Sequence, residues 1–168
     1  MTTSSHVYEL FGGRWRTTPT LRTVRHCRTG DVEFVRQDLV VSLFQVHAAA
    51  SRALLSVQNH SMTTNSLHSE LVFNLSGTRN VTDSIRRFGI SNQATQVLVC
   101  VFDDATALDT VGIDGVLKPV TSIENHAHLT PEHMQVLKKH YKIQDLELQV
   151  TTLSDAIVSR IATKNVNK

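Results

Sequence analysis

"LHSELVFNLSGTRNVTDSIRRFGISNQATQVLVCVF", residues 67–102, is the stretch on which the fold turns. Its first nine residues, Leu67 to Leu75, are rich in Val, Leu and Phe and read as a strand. A small polar loop with one glycine, Gly77, leads into a basic helix. Asn80 is placed to cap that helix, and Asp83 sits in its first turn, where the dipole favours an anion. Ile85 and Phe88 are expected to face the sheet, and Gly89 to end the helix in a left-handed conformation. "TQVLVCVF", residues 95–102, reads as a second strand. Strand, helix, strand in that order predicts a βαβ unit, in which two parallel strands are joined by a right-handed crossover.

The same layout cradles phosphate in nucleotide-binding proteins. "LSGTRN", however, lacks the Gly-x4-Gly-Lys-Ser/Thr pattern and offers one glycine where phosphate loops use several. It reads as an ordinary turn ending in a helix cap, able to hold an anion only weakly.

Outward from this stretch, "HVYELF" and "TLRTVRHC" are strand candidates on the N-terminal side. "SLFQVHAAASRALLSVQ" is the clearest early helix. Its apolar residues cover most of its circumference, which predicts burial, and Ala48, Ala49 and Ala50 would admit a close neighbour. "LTPEHMQVLKKHY" is a helix with Thr130 as cap, Pro131 at its first position, and Met134, Leu137 and Tyr141 on one face. A last helix is expected from about Leu148 to about Thr163, where Val150, Leu153, Ile157 and Ile161 recur at helical spacing. The predicted architecture is α/β: a single domain over residues 1–168, with a central mixed β-sheet containing the βαβ crossover. Helices flank that sheet, the C-terminal one among them.

Composition sets the outer bounds. A chain of 168 residues suggests one domain, and that size can bury roughly 70% of its unfolded surface. Apolar residues make up 40% and charged residues 19%, as in an ordinary soluble globule. A net charge of +2 is too small to argue nucleic-acid binding by itself. Charge is nevertheless unevenly placed. Arg14, Arg16, Arg22, Arg25 and Arg28 cluster without an acidic neighbour, and Asp103, Asp104, Asp109 and Asp114 without a basic one. Solvated loops and strand edges are the favoured reading of both clusters, with dedicated partner patches as the alternative. There is no hydrophobic leader and no run of membrane-spanning length. Two cysteines, Cys27 and Cys100, stand far apart, and Cys100 reads as a small buried apolar residue. The sequons at Asn59, Asn74 and Asn80 matter only in a secreted chain.

Chemistry-bearing patterns are sparse. His126 with His128, joined by His133 or Glu124, matches no standard zinc spacing. His133 and His140 are seven apart on one helix and read as solvated. No Gly-x-Ser-x-Gly elbow exists, and no ligand set calls for a metal or a cofactor. Arg86 and Arg87 form either a solvent-facing basic edge or a phosphate contact. On the last helix, Ile157, Val158, Ile161 and Ala162 make an apolar band wider than one core face needs. An amphipathic helix of that kind can dock on a partner, or it can be a core helix. Periodicity does not separate the two.

"SELVFNLSGTRNVTDSIRRFGISNQATQVLVCVF" resembles the central segment of the TPRKB (PRPK-binding protein) family, the small kinase-binding subunits of the KEOPS, or EKC, complex. "LSDAIVSRIATKNV" is similar to that family's closing helix, and "LFQVHAAASRAL" to its long early helix. The resemblance implies a non-catalytic subunit without cofactor, nuclear and cytoplasmic. It would dock on the N-lobe of the atypical kinase PRPK through the C-terminal helix, with Ile157, Val158, Ile161 and Ala162 as the contact. Through PRPK it would join the catalytic subunit OSGEP and the LAGE-type subunit in threonylcarbamoyladenosine modification of tRNA. Arg86 and Arg87 are the candidate tRNA contacts. The competing class is an independent RNA-binding module built on the arginine section.

Overall fold

Val97–Phe102, six consecutive apolar residues, form the strand that their composition predicts. All six are buried, so both faces of the strand are covered, which is why the segment reads as a continuous run rather than an alternation. Among the described residues it is β3 of a four-stranded sheet in the order β2-β3-β1-β4. The other strands are β1 (Ser5–Phe11), β2 (Val32–Arg36) and β4 (Val116–Pro119). β3 pairs with β1, Cys100 opposite Val7, and with β2, Leu98 opposite Val35. β1 pairs in turn with β4. The computed structural model describes residues 5–11, 32–89, 97–102, 116–120, 123 and 129–164. "TLRTVRHC", both charge clusters, Glu124, His126 and His128 lie outside the described residues.

The α/β class and the C-terminal helix stand, but the crossover does not. Every pairing among the described strands is antiparallel, so the sheet is not mixed there. Leu67–Leu75, expected as a strand, is an α-helix. His68, Glu70 and every residue from Leu71 to Leu75 are buried in it. A helix covered on nearly all sides loses the 3.6-residue alternation that marks an amphipathic one. Its Ser66 cap, which accepts from the Ser69 amide, is the local signal that decides.

Five α-helices occur among the described residues: α1 (Leu43–Gln58), α2 (Leu67–Leu75), α3 (Val81–Phe88), α4 (Pro131–Tyr141) and α5 (Leu153–Thr163). α1 packs on α2 and α5, and α2 on α3. The chain divides into two compact units, one of residues 1–37 and 90–120 with the strands, the other of residues 38–89 and 121–168 with the helices. Each unit takes two stretches of chain, so neither is a segment that could be excised whole.

The helical unit is centred on Tyr141. Its hydroxyl donates to the Leu75 carbonyl and accepts from Gln45 Nε2 at 3.2 Å. Gln45, itself fully buried, takes the Val41 amide on Oε1 at 2.9 Å. Burial pushes the Tyr141 phenol well above its ordinary pKa, which keeps it a donor at every physiological pH. Gly77 lies so close that an added Cβ would stand 2.8 Å from the Tyr141 ring. Phe88 is buried beside the same ring and His140, with centroids 6.3 and 5.4 Å away. Ile85, expected beside Phe88 on the buried face, is exposed instead. Gly89 caps α3 with φ −70°, an extended rather than a left-handed residue.

Candidate functional site

α5 begins later than its periodicity suggests. Thr152 caps it by accepting from the Asp155 amide, and the preceding Glu147–Gln149 is a 3-10 turn. Val150, assigned to the apolar stripe, is 88% exposed in that connection. Arg160 returns to the turn and grips Glu147 with two hydrogen bonds of 2.8 and 2.7 Å. The stripe that remains is Leu153, Ala156, Ile157 and Ile161, all buried.

This settles the apolar band residue by residue. Ile157 and Ile161 have no exposed surface at all, so they belong to the core and not to a partner. No second protein can touch them without opening the unit, and their part in the expected docking contact is withdrawn. Val158 is half-buried, and Ala162 is exposed on the outer side of the same helix.

α1 runs alongside α5 in the same direction. Ser42 Oγ lies 2.6 Å from Ser154 Oγ at one end, and Arg52 Nη1 donates to the Ala162 carbonyl at 2.7 Å near the other. Ala48 and Leu55, four residues before Arg52 and three after, share its side of α1. Leu55 is 54% exposed, and Phe44, three turns earlier on the outer face, 60%. Phe44, Ala48 and Leu55 thus share the side of α1 from which Arg52 reaches α5 at Ala162. Sequence reading missed this side of α1, because an all-round apolar helix gives no sign of which side stays uncovered.

Arg86 and Arg87 both turn back to one carboxylate. Arg86 Nη2 donates to Asp83 Oδ1 at 2.7 Å, and Arg87 Nε to Asp83 Oδ2 at 2.8 Å. These bonds hold the Asp83 carboxyl below its ordinary pKa. Adjacent helix positions point about 100° apart, yet the shared acid draws the two guanidinium groups to a common anchor. Both side chains stay exposed, with a net charge of +1 for the three residues.

The histidines expected to be solvated are engaged. His140 Nε2 accepts from the Gly77 amide at 3.2 Å and lies 3.1 Å from Ser76 Oγ. Burial, then Arg87, lowers its pKa. His133 Nε2 is 3.8 Å from the Asp38 carboxylate. Among the described residues no three His, Cys, Asp or Glu side chains gather to hold a metal, and no helix is long and apolar enough to cross a membrane. Of the sequons, Asn74 is buried in α2 and Asn80 is the cap of α3.

Comparison with known proteins gives this helical face a context. Residues 21–165 match the family model described as kinase binding protein CGI-121. The chain is 34% identical over 134 residues to the "EKC/KEOPS complex subunit TPRKB" of Danio rerio, covering 79% of this chain and 75% of the relative. It is 32% identical over 112 residues to the "EKC/KEOPS complex subunit CGI121" of Yarrowia lipolytica, covering 67% and 63%. With the subunit of the same name from Gibberella zeae it shares 30% over 125 residues. The chain belongs to the CGI-121 kinase-binding family.

Proposed function

We propose that this chain is the non-catalytic, kinase-binding subunit of a KEOPS complex, and that it docks on a PRPK-type kinase through the α1–α5 seam. The carrying observation is the exposed Phe44 and Leu55, with half-buried Ala48 between them, on a helix paired with the one that carries half-buried Val158 and exposed Ala162, the inner face of the pair being already full. Exposed apolar side chains grouped along one seam are what a desolvated interface core requires. Through the kinase, the subunit would serve threonylcarbamoyladenosine modification of tRNA beside the OSGEP and LAGE-type subunits. Its place is nuclear and cytoplasmic, and it works without metal or cofactor.

Ala162→Glu combined with Leu55→Glu tests the docking face. Each charge would be buried without a partner on binding, and the pair should weaken kinase affinity at least ~100-fold, about 3 kcal/mol. Both positions are open to solvent in the free chain, so helical circular dichroism should not change. A folded double variant that still captures the kinase would remove this seam from the interface. Ile161→Glu is the contrasting control: it places a charge at a fully buried core position and should unfold the helical unit.

Arg86 and Arg87 are proposed as a tRNA contact, because both guanidinium groups are exposed and held at one anchor. Reversing both charges should weaken tRNA binding by the assembled complex and reduce its salt slope by about 2. Kinase capture should be unaffected. Unchanged affinity and slope would make the pair a solvated edge.

A further inference from the structure

We propose that the end of α5 is held by a hydrogen-bonded latch of Lys164, Arg52 and Arg79, with Glu70 nearby, and that the latch positions Val158 and Ala162 for the kinase. The proposal rests on the docking function inferred above. Lys164 follows α5 and turns its side chain inward, with only 7% exposed. Its Nζ donates to the Phe73 carbonyl in the last turn of α2, and it lies 3.3 Å from the centroid of the Phe73 ring. Carbonyls in that turn lack partners within their own helix, and a cation there also meets the negative end of the dipole. One residue of α2 therefore offers Lys164 an acceptor and a ring face together.

The carbonyls at the end of α5 are met in the same way. Arg52 from α1 takes that of Ala162, and Arg79 from the loop after α2 takes that of Lys164 at 3.2 Å. Two helix ends thus share three cations. Glu70, fully buried in α2, attracts Lys164 while its Oε2 gathers the Thr63 and Thr64 amides and the Thr64 hydroxyl. The groups acting on Lys164 are accordingly Glu70 from α2, Arg52 from α1 and Arg79 from the loop. Burial, opposed by Glu70 and reinforced by Arg52 and Arg79, brings the Lys164 ammonium down to about 7. The link to docking is direct, since Arg52 holds the backbone of the very residue, Ala162, that the seam presents.

Lys164→Met in the full chain keeps the apolar stem and removes the amine that donates to the Phe73 carbonyl. Hydrogen-exchange protection of residues 159–164 should fall, and affinity for a PRPK-type kinase should drop about tenfold. The pH profile separates positioning from bulk stability. Burial disfavours the ammonium, so the closed latch takes Lys164 most readily as the neutral amine, which still donates to the Phe73 carbonyl, and wild-type affinity should strengthen as pH rises from 7 to 9. The Lys164→Met chain should lose that slope. Arg79→Met, which removes the bond to the Lys164 carbonyl from a loop side chain, should give a smaller loss in the same direction. It decides the matter if Lys164→Met fails to fold. Variants that keep wild-type affinity and slope overturn the latch while leaving the docking face standing. A wild-type chain that does not bind the kinase overturns the docking function, and the positioning role with it.

Discussion

His140 accepts the Gly77 amide proton on Nε2, and it can do so only while that nitrogen carries no proton of its own. Its pKa is lowered, by burial first and Arg87 second, so the folded chain binds this proton less readily than the unfolded chain, whose imidazole titrates near the ordinary value of 6.5. Stability contributed by neutral His140 is intact above that pH and is lost as pH falls through and below it. Urea midpoints taken from pH 7 to pH 5 should therefore decline, and His140→Gln, which keeps an acceptor but cannot titrate, should flatten the decline. A wild-type slope unchanged by the substitution would show that His140 plays no part in it. Little of this was legible in the sequence. The partners of His140 lie more than sixty residues earlier, in the loop after α2, and a histidine on an amphipathic helix reads as solvated until that loop is placed. Lys164 misleads for the same reason, because a lysine closing a helix looks like a solvent cation.

The ends of the helices tell a more local story. Ser42, Ser66, Asn80, Thr130 and Thr152 each accept the amide three residues on, so all five α-helices start at a side-chain cap. For α3 and α4 that chemistry placed the helix from sequence, at Asn80 and Thr130, whereas α1 was read from its apolar run alone. α2 was misread since its burial on nearly all sides hid the period, and α5 since Val150 fits the stripe of the following helix while standing outside it. At the other end, α1 and α4 close with a non-glycine residue in the left-handed region, His60 at φ 50° and Lys142 at φ 55°. The Ile143 amide reaches back to the Lys138 carbonyl at 2.9 Å, and Ser61 to Ser56 at 2.8 Å, which fixes both turns. Lys142→Gly should relieve the strain and raise stability by about 0.5–1 kcal/mol, measured by urea unfolding. A destabilised variant would mean that the lysine side chain contributes more there than its backbone costs.

At the level of the whole chain, the apolar band of the last helix was legible as a band but not as a face. Spacing shows that Ile157, Val158, Ile161 and Ala162 lie close together on a helix, yet only the packing of α1 on α5 divides them into two core residues and two surface ones. The sheet was half legible. Its strands β1 and β3 follow from composition, but their antiparallel pairing depends on which chain segments are strands at all, and Leu67–Leu75 is not one. β3 has a last consequence of a different kind. Cys100 stands at its centre, 3% exposed, between β1 and β2. A thiol in that position is shielded from reagents for as long as the sheet persists, and only its opening admits them. In a chain whose other cysteine, Cys27, is replaced by serine, the rate of alkylation becomes a stopwatch on the opening of β3.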